Sequence, residues 1–185
     1  MGPRVVSELR ARGVERINLL ILSSNDPVFI GGMPRILQDF PVDEIWVTGA
    51  EYNDPTWQSI TPYLPASKVK AVRYGDSKSF GDLKIEVLNP FEPLIGTSDA
   101  DSIALKVSYG SFCSLLFSNS VAGGASTSDA GTVFGGVDSK IIAGSIPIEC
   151  PVMKIAAHGS ANAASFQLLE KAKPKEGIIS VGPNP

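Results

Sequence analysis

Residues 17–22, Ile-Asn-Leu-Leu-Ile-Leu, are the longest apolar run in the chain, broken only by Asn18. A run of that kind is what a strand covered on both faces presents, and such strands belong to parallel sheets flanked by helices. It is far shorter than the roughly 20 apolar residues a bilayer span takes. With no charged-then-apolar segment ahead of it, the expectation is a soluble chain. Ahead of the run, Pro3 suits the first turn of a helix reaching about Arg12, with Val5, Val6 and Leu9 on one face and Gly13 as its stop. Behind it, Ser23-Ser24-Asn25-Asp26-Pro27 makes a loop at a strand's C-terminal end, where sites in α/β folds lie.

The alternation continues. Residues 29–40 place Ile30, Met33, Ile36, Leu37 and Phe40 at helical spacing, and residues 44–48 read as the next buried strand. Residues 56–64 form a weaker helix that Pro62 interrupts, and a strand follows at 69–74. From Lys84 the pattern turns to strands, at 84–88, 103–109 and 112–117, the last two joined as a hairpin by Gly110-Ser111. Residues 118–136, rich in Gly, Ala, Ser and Thr, read as a long surface loop. The remainder reads as strands near 140–143 and 152–156, a helix at 163–173 with Phe166, Leu169 and Ala172 inward, and a final strand at 177–181. The order is that of an α/β chain whose second half is richer in antiparallel strand. At 185 residues it fits one domain with one core.

A net charge of −3 supplies no overall positive field for nucleic acid or an anionic membrane. Arg4, Arg10, Arg12 and Arg16 cluster near the N-terminus, yet Glu8 and Glu15 stand among them, which describes a solvated helix face. Cys113 and Cys150 are far apart and form no C-x-x-C pair, so the expectation is two buried thiols rather than a disulfide or a metal clip. No G-x-S-x-G elbow, P-loop or G-x-G-x-x-G opens a helix, and any Ser or Cys nucleophile would have to share the single histidine, His158, as its base. Asp99 with Asp101, or Asp76 with Asp82, are spaced as turn residues rather than as an acid and base pair.

Several segments, in order, resemble one family. Arg16-Ile17-Asn18-Leu19-Leu20-Ile21-Leu22 leads into Ser23-Ser24-Asn25-Asp26-Pro27-Val28-Phe29 and then Ile30-Gly31-Gly32. Gly81-Asp82-Leu83-Lys84 opens a strand ending in Leu88-Asn89-Pro90, and Asp99-Ala100-Asp101-Ser102 precedes the next. Leu115-Leu116-Phe117-Ser118-Asn119, Ala157-His158-Gly159-Ser160 and Ile178-Ile179-Ser180-Val181-Gly182 follow. Together they resemble the metallo-β-lactamase superfamily, specifically the hydrolase-like domain of ComEC-type DNA-uptake proteins. The resemblance implies an αβ/βα layered sandwich without the family's N-terminal strands and C-terminal helix. The expectation is therefore either a fragment of a longer chain or a domain that a partner completes.

The same resemblance locates the metal-site positions. Ser24, Val28 and Phe29 stand where it implies His, Asp and His. Asn119 replaces a bridging carboxylate, and His158 is what remains of a His-His-Gly-Ser turn. A site with two metals takes several imidazoles and carboxylates, and of the first loop only Asp26 can bind a cation. Asp26 also suits a cap on the helix after Pro27. His158 suits a hydrogen-bonded brace for its turn, Ser160 with Asn162 a cap on the last helix, and Ser118 with Asn119 bonds to the polar loop they open. The expectation is a non-catalytic module in a larger assembly, with no metal or cofactor and with Phe29 and Val28 filling the former cleft. Its partner is expected to be another protein or a second copy, with nucleic acid entering by family analogy alone. The rival expectation is a phosphodiesterase or nuclease-like hydrolase with one divalent cation on Asp26, Asn119 and His158. The compartment stays open, with a lean to an extracytoplasmic setting by the same analogy.

Overall fold

The apolar run becomes β1 (Ile17–Ile21), parallel to β2 (Val42–Val47) with Ile17 opposite Val42 and Leu20 opposite Ile45. A short β3 (Val69–Ala71) adds to β2, also in parallel, giving the order β1-β2-β3. This sheet belongs to the first of two units, Met1–Val72 and Arg73–Pro185, in a computed structural model that describes residues 2–50, 55–97, 99–119, 137–161 and 163–181.

In the first unit α1 (Gly2–Ala11) buries Val6 and rests Leu9 on the core, while Val5 is exposed against expectation. The chain leaves the helix through Gly13, whose φ of +72° favours a residue without Cβ. Arg12 pairs with Glu8 at 2.8 Å on the solvated face. The Arg16 guanidinium bonds Asp43 on β2, and Asn18 adds a bond of 3.1 Å to the same carboxylate. The guanidinium holds that carboxyl below its ordinary pKa.

The helix expected over 29–40 is two helices, α2 (Pro27–Ile30) and α3 (Met33–Asp39), separated at Gly31-Gly32. A Cβ on Gly31 would lie 2.9 Å from the Pro27 carbonyl oxygen, which accepts the Gly31 N–H, so this turn is closed to larger residues. The apolar spacing still holds across the break: Ile30, Met33, Ile36 and Phe40 are buried with Val6, Leu22, Ile45 and Val47. α4 (Pro55–Ile60) passes into a single 3₁₀ turn, Thr61–Tyr63, at Pro62.

The second unit is built on a six-stranded sheet of order β4-β5-β6-β7-β8-β9. Its first four strands, β4 (Ser77–Phe80), β5 (Leu83–Asn89), β6 (Ala104–Tyr109) and β7 (Phe112–Leu116), run antiparallel, and the Gly110-Ser111 hairpin sets Tyr109 opposite Phe112 as its turn predicts. β8 (Val152–Lys154) and β9 (Glu176–Ile178) extend the sheet in parallel. The polar segment Ser77–Phe80 gave no strand signal; pairing with β5 makes it one.

Four sequence expectations are corrected here. The segment expected as a strand at 140–143 is helical, part of α5 (Val137–Ala143), which buries Val137 and Ile141. The helix expected from 163 starts later, as α6 (Phe166–Ala172), capped by the Ser165 hydroxyl accepting from Leu168 N–H at 3.1 Å rather than by Ser160. Its inward residues are Leu168 and Ala172, whereas Phe166 is 70% exposed and Leu169 lies at the surface. Finally, the cysteines are not two free thiols: Cys113 on β7 and Cys150 ahead of β8 form a disulfide, because parallel pairing of Ser114 with Val152 brings their Cα atoms to 5.2 Å. The core of this unit gathers Leu88, Leu115, Phe117, Ile141, Met153 and Leu168. The segment expected as a loop, beyond residue 119, and Asn162 lie outside the described residues.

Candidate functional site

The sequence-predicted positions fall into both units: Ser24, Asp26, Val28 and Phe29 in the first, Asn119 and His158 in the second.

In the first unit β1 and β2 end in the same direction, so residues 23–26 and 48–50 both leave the C-terminal edge of the parallel sheet, the usual place for an α/β site. Leu22 N–H still bonds the Trp46 carbonyl at 2.8 Å, which carries the pairing up to both loops. Ser24, Asn25 and Thr48 are buried there. The Ser24 hydroxyl accepts from Asp26 N–H at 3.2 Å, and Thr48 Oγ1 accepts from Ala50 N–H at 3.3 Å, so each polar side chain folds back on its own loop. The Asp26 carbonyl accepts from Phe29 and Ile30 N–H at 2.9 and 3.2 Å, which makes Asp26 the residue that starts α2 through its backbone. Phe29 is half-buried and packs on the core of its unit. Val28 lies in α2, and its side chain is outside the described residues. Asn25, 4% exposed, has an amide nitrogen without a hydrogen-bond partner among the described residues. Such a donor costs about 1–3 kcal/mol, and its signal in the sequence was only a polar residue beside the expected ligand positions.

In the second unit a polar network surrounds the end of β5. Asn89 donates to the Ala100 and Ser102 carbonyls at 2.8 and 2.6 Å, and the buried Asp101 carboxylate accepts from Ile95 and Gly96 N–H at 2.9 and 2.6 Å. Asn119, just past β7, donates to Asp99 Oδ1 at 2.7 Å. Asp76 accepts from Arg73 N–H at 2.8 Å. Asp76 and Asp101 thus hold turns.

The His158 turn is strained. Ala157 and His158 have φ of +42° and +54°, ahead of Gly159 at +78°, a conformation that costs about 1–2 kcal/mol for each residue bearing a Cβ. Among the bonds that hold it are Ala157 N–H to the Ser118 carbonyl at 2.9 Å, Gly159 N–H to the Ala156 carbonyl at 2.9 Å, Ser160 N–H to the Ala157 carbonyl at 3.1 Å, and His158 Nδ1 to the Ser180 carbonyl at 2.7 Å. The ring nitrogen donates to that carbonyl, so the imidazole braces the turn. Strain maintained by surrounding bonds is a mark of sites in general.

Lys154, at the end of β8, was not singled out from the sequence, although a lone charge in Val152-Met153-Lys154-Ile155-Ala156 was a signal. Its ammonium donates to the Phe117 carbonyl at 2.8 Å, and burial lowers its pKa. Among the described residues no group of three or more His, Cys, Asp or Glu is placed to hold a metal ion, and no helix is long and apolar enough to cross a membrane.

Compared with solved structures, the chain is similar to MEM-A1, a subclass B3 metallo-β-lactamase from a soil metagenome library, over 92% of this chain and 76% of that one, with a TM-score of 0.52 and 14% identity. The Rm3 metallo-β-lactamase gives 0.52 over 84% and 63%, at 13% identity. The chain has the metallo-β-lactamase fold. That fold is also seen through the CmlA β-hydroxylase E377D mutant, with a TM-score of 0.56 over 88% of this chain and 36% of that one, at 16% identity. In sequence this metallo-β-lactamase-fold chain is similar to ComE operon protein 3 of Bacillus subtilis (strain 168), 24% identical over 190 residues and all of this chain. That likeness supports the ComEC-type resemblance. The chain spans about 22% of that relative's length. No family model matches it.

Proposed function

We propose that residues 1–185 act as one metallo-β-lactamase-like domain of the ComEC-type group that performs no metal-dependent catalysis and serves as a binding or structural module in a larger assembly. The reading rests on the donor chemistry at the six positions where the family implies metal ligands. Val28 and Phe29 carry no donor atom, and Phe29 rests on the core instead. The Ser24 hydroxyl accepts from its own loop and the Asn119 amide donates to Asp99. One carboxylate, one amide and one imidazole do not fit a centre that needs several anionic and imidazole ligands to hold two cations. The partner is another protein or a second copy of the chain; the net charge of −3 disfavours nucleic acid, which enters only by analogy with the ComEC-type group.

The test is elemental analysis of protein purified without chelator, combined with turnover of bis(p-nitrophenyl) phosphate in Zn²⁺, Mn²⁺ and Mg²⁺. The expected result is substoichiometric metal, a melting temperature unchanged by EDTA, and no turnover above that of metal and buffer. One tightly held metal per chain, or metal-dependent turnover lost in Asp26→Ala, overturns the proposal in favour of a metal-dependent hydrolase.

A further inference from the structure

Both cysteines of this chain are consumed in one bridge, and its surroundings are those of a permanent staple. Cys150 is 1% exposed within the core of the second unit, and Cys113 sits half-buried on a central strand. The two are 37 residues apart, so neither belongs to the C-x-x-C arrangement that lowers a thiol's pKa and makes a disulfide easy to exchange. Within the closed loop lies the Gly-, Ala-, Ser- and Thr-rich stretch 120–136, whose composition offers little apolar surface to bury. The bridge ties β7 to the approach of β8, next to the Ser114–Val152 pairing. A staple of this sort persists where thiols are oxidised and is rare where glutathione and thioredoxin keep them reduced.

We propose that this domain matures and works in an oxidising compartment, and that the Cys113–Cys150 disulfide is a lasting structural bond formed there by a thiol–disulfide oxidoreductase. In that step one cysteine thiolate of the chain attacks the oxidoreductase's disulfide and forms a mixed disulfide. The second cysteine displaces the oxidoreductase, which leaves as a dithiol carrying the two electrons and two protons. The proposal is independent of whether the domain is catalytic.

The test counts thiols on the full chain, made once with export to the periplasm of a bacterial host and once in its reducing cytoplasm, with iodoacetamide added at lysis in denaturant. Intact mass is expected to show no label on the exported protein, two labels after reduction with dithiothreitol, and two labels on the cytoplasmic protein. The oxidised form is expected to melt on the order of 10 °C above the reduced form. Cys113→Ser and Cys150→Ser are each expected to melt near the reduced wild type and to be insensitive to dithiothreitol. Two free thiols on the exported wild type would overturn the proposal even if neither variant folds, and so would equal melting temperatures of the oxidised and reduced wild type.

Discussion

The side-chain amide of Asn119 donates a 2.7 Å hydrogen bond to Oδ1 of Asp99, tying the end of β7 to the turn that precedes β6. An amide can make this bond and a carboxylate cannot. The carboxylate that the family resemblance implies at 119 would have to forgo this bond.

Asn119→Asp is accordingly expected to destabilise the fold by about 1–2 kcal/mol at pH 7, because two like charges would face each other at hydrogen-bond distance. Urea unfolding of wild type and variant at pH 7 measures the deficit, and a variant as stable as wild type would count against the bond.

Lys154 governs an alkaline limb of the stability curve. Burial lowers its pKa in the folded chain, while the unfolded chain keeps the ordinary value of 10.5. Between those values the unfolded state binds more protons, so stability rises with pH across that window and levels off above it. Below the window both states carry the charge, and the folded state bears the burial cost. Lys154→Met is expected to remove this rise, read as the difference in melting temperature between the two proteins from pH 8 to pH 11. Parallel curves would count against it.

The register of α6 makes a pair of opposite expectations. Leu168 is fully buried, so Leu168→Ala is expected to cost about 2–5 kcal/mol. Phe166 is 70% exposed, so Phe166→Ala is expected to stay within about 0.5 kcal/mol of wild type. Chemical denaturation of the two variants side by side checks the helix phase.

Phe29 packs on the core of the first unit while remaining half-buried. Phe29→Ala is expected to cost about 1–3 kcal/mol, below the full value for a core phenylalanine. A loss well under 1 kcal/mol by denaturant midpoint would show that the ring contributes little to that core.

Sequence alone determined what depends on local pattern. The apolar run at 17–22 is a strand, Gly110-Ser111 closes a hairpin and Gly13 ends the first helix, although β1, first in the order β1-β2-β3, is half-buried rather than covered on both faces. The ordered motifs marked the metallo-β-lactamase fold, which the structural likenesses bear out. Tertiary structure decided what depends on partners distant in the chain. Ser77–Phe80 became a strand only because β5 pairs with it, and residues 140–143 became helix because two adjacent isoleucines carry no period of their own and Ile141 fits the core from α5. Ser165 rather than Ser160 caps the last helix, and the face that meets the core carries Leu168 and Ala172 in place of Phe166. The cysteines followed the same logic: spacing along the chain says nothing about distance in space, and the β7–β8 pairing brought Cys113 to Cys150. Local composition carries helix, strand and turn preferences, whereas pairing, helix phase and disulfides are set by which surfaces meet.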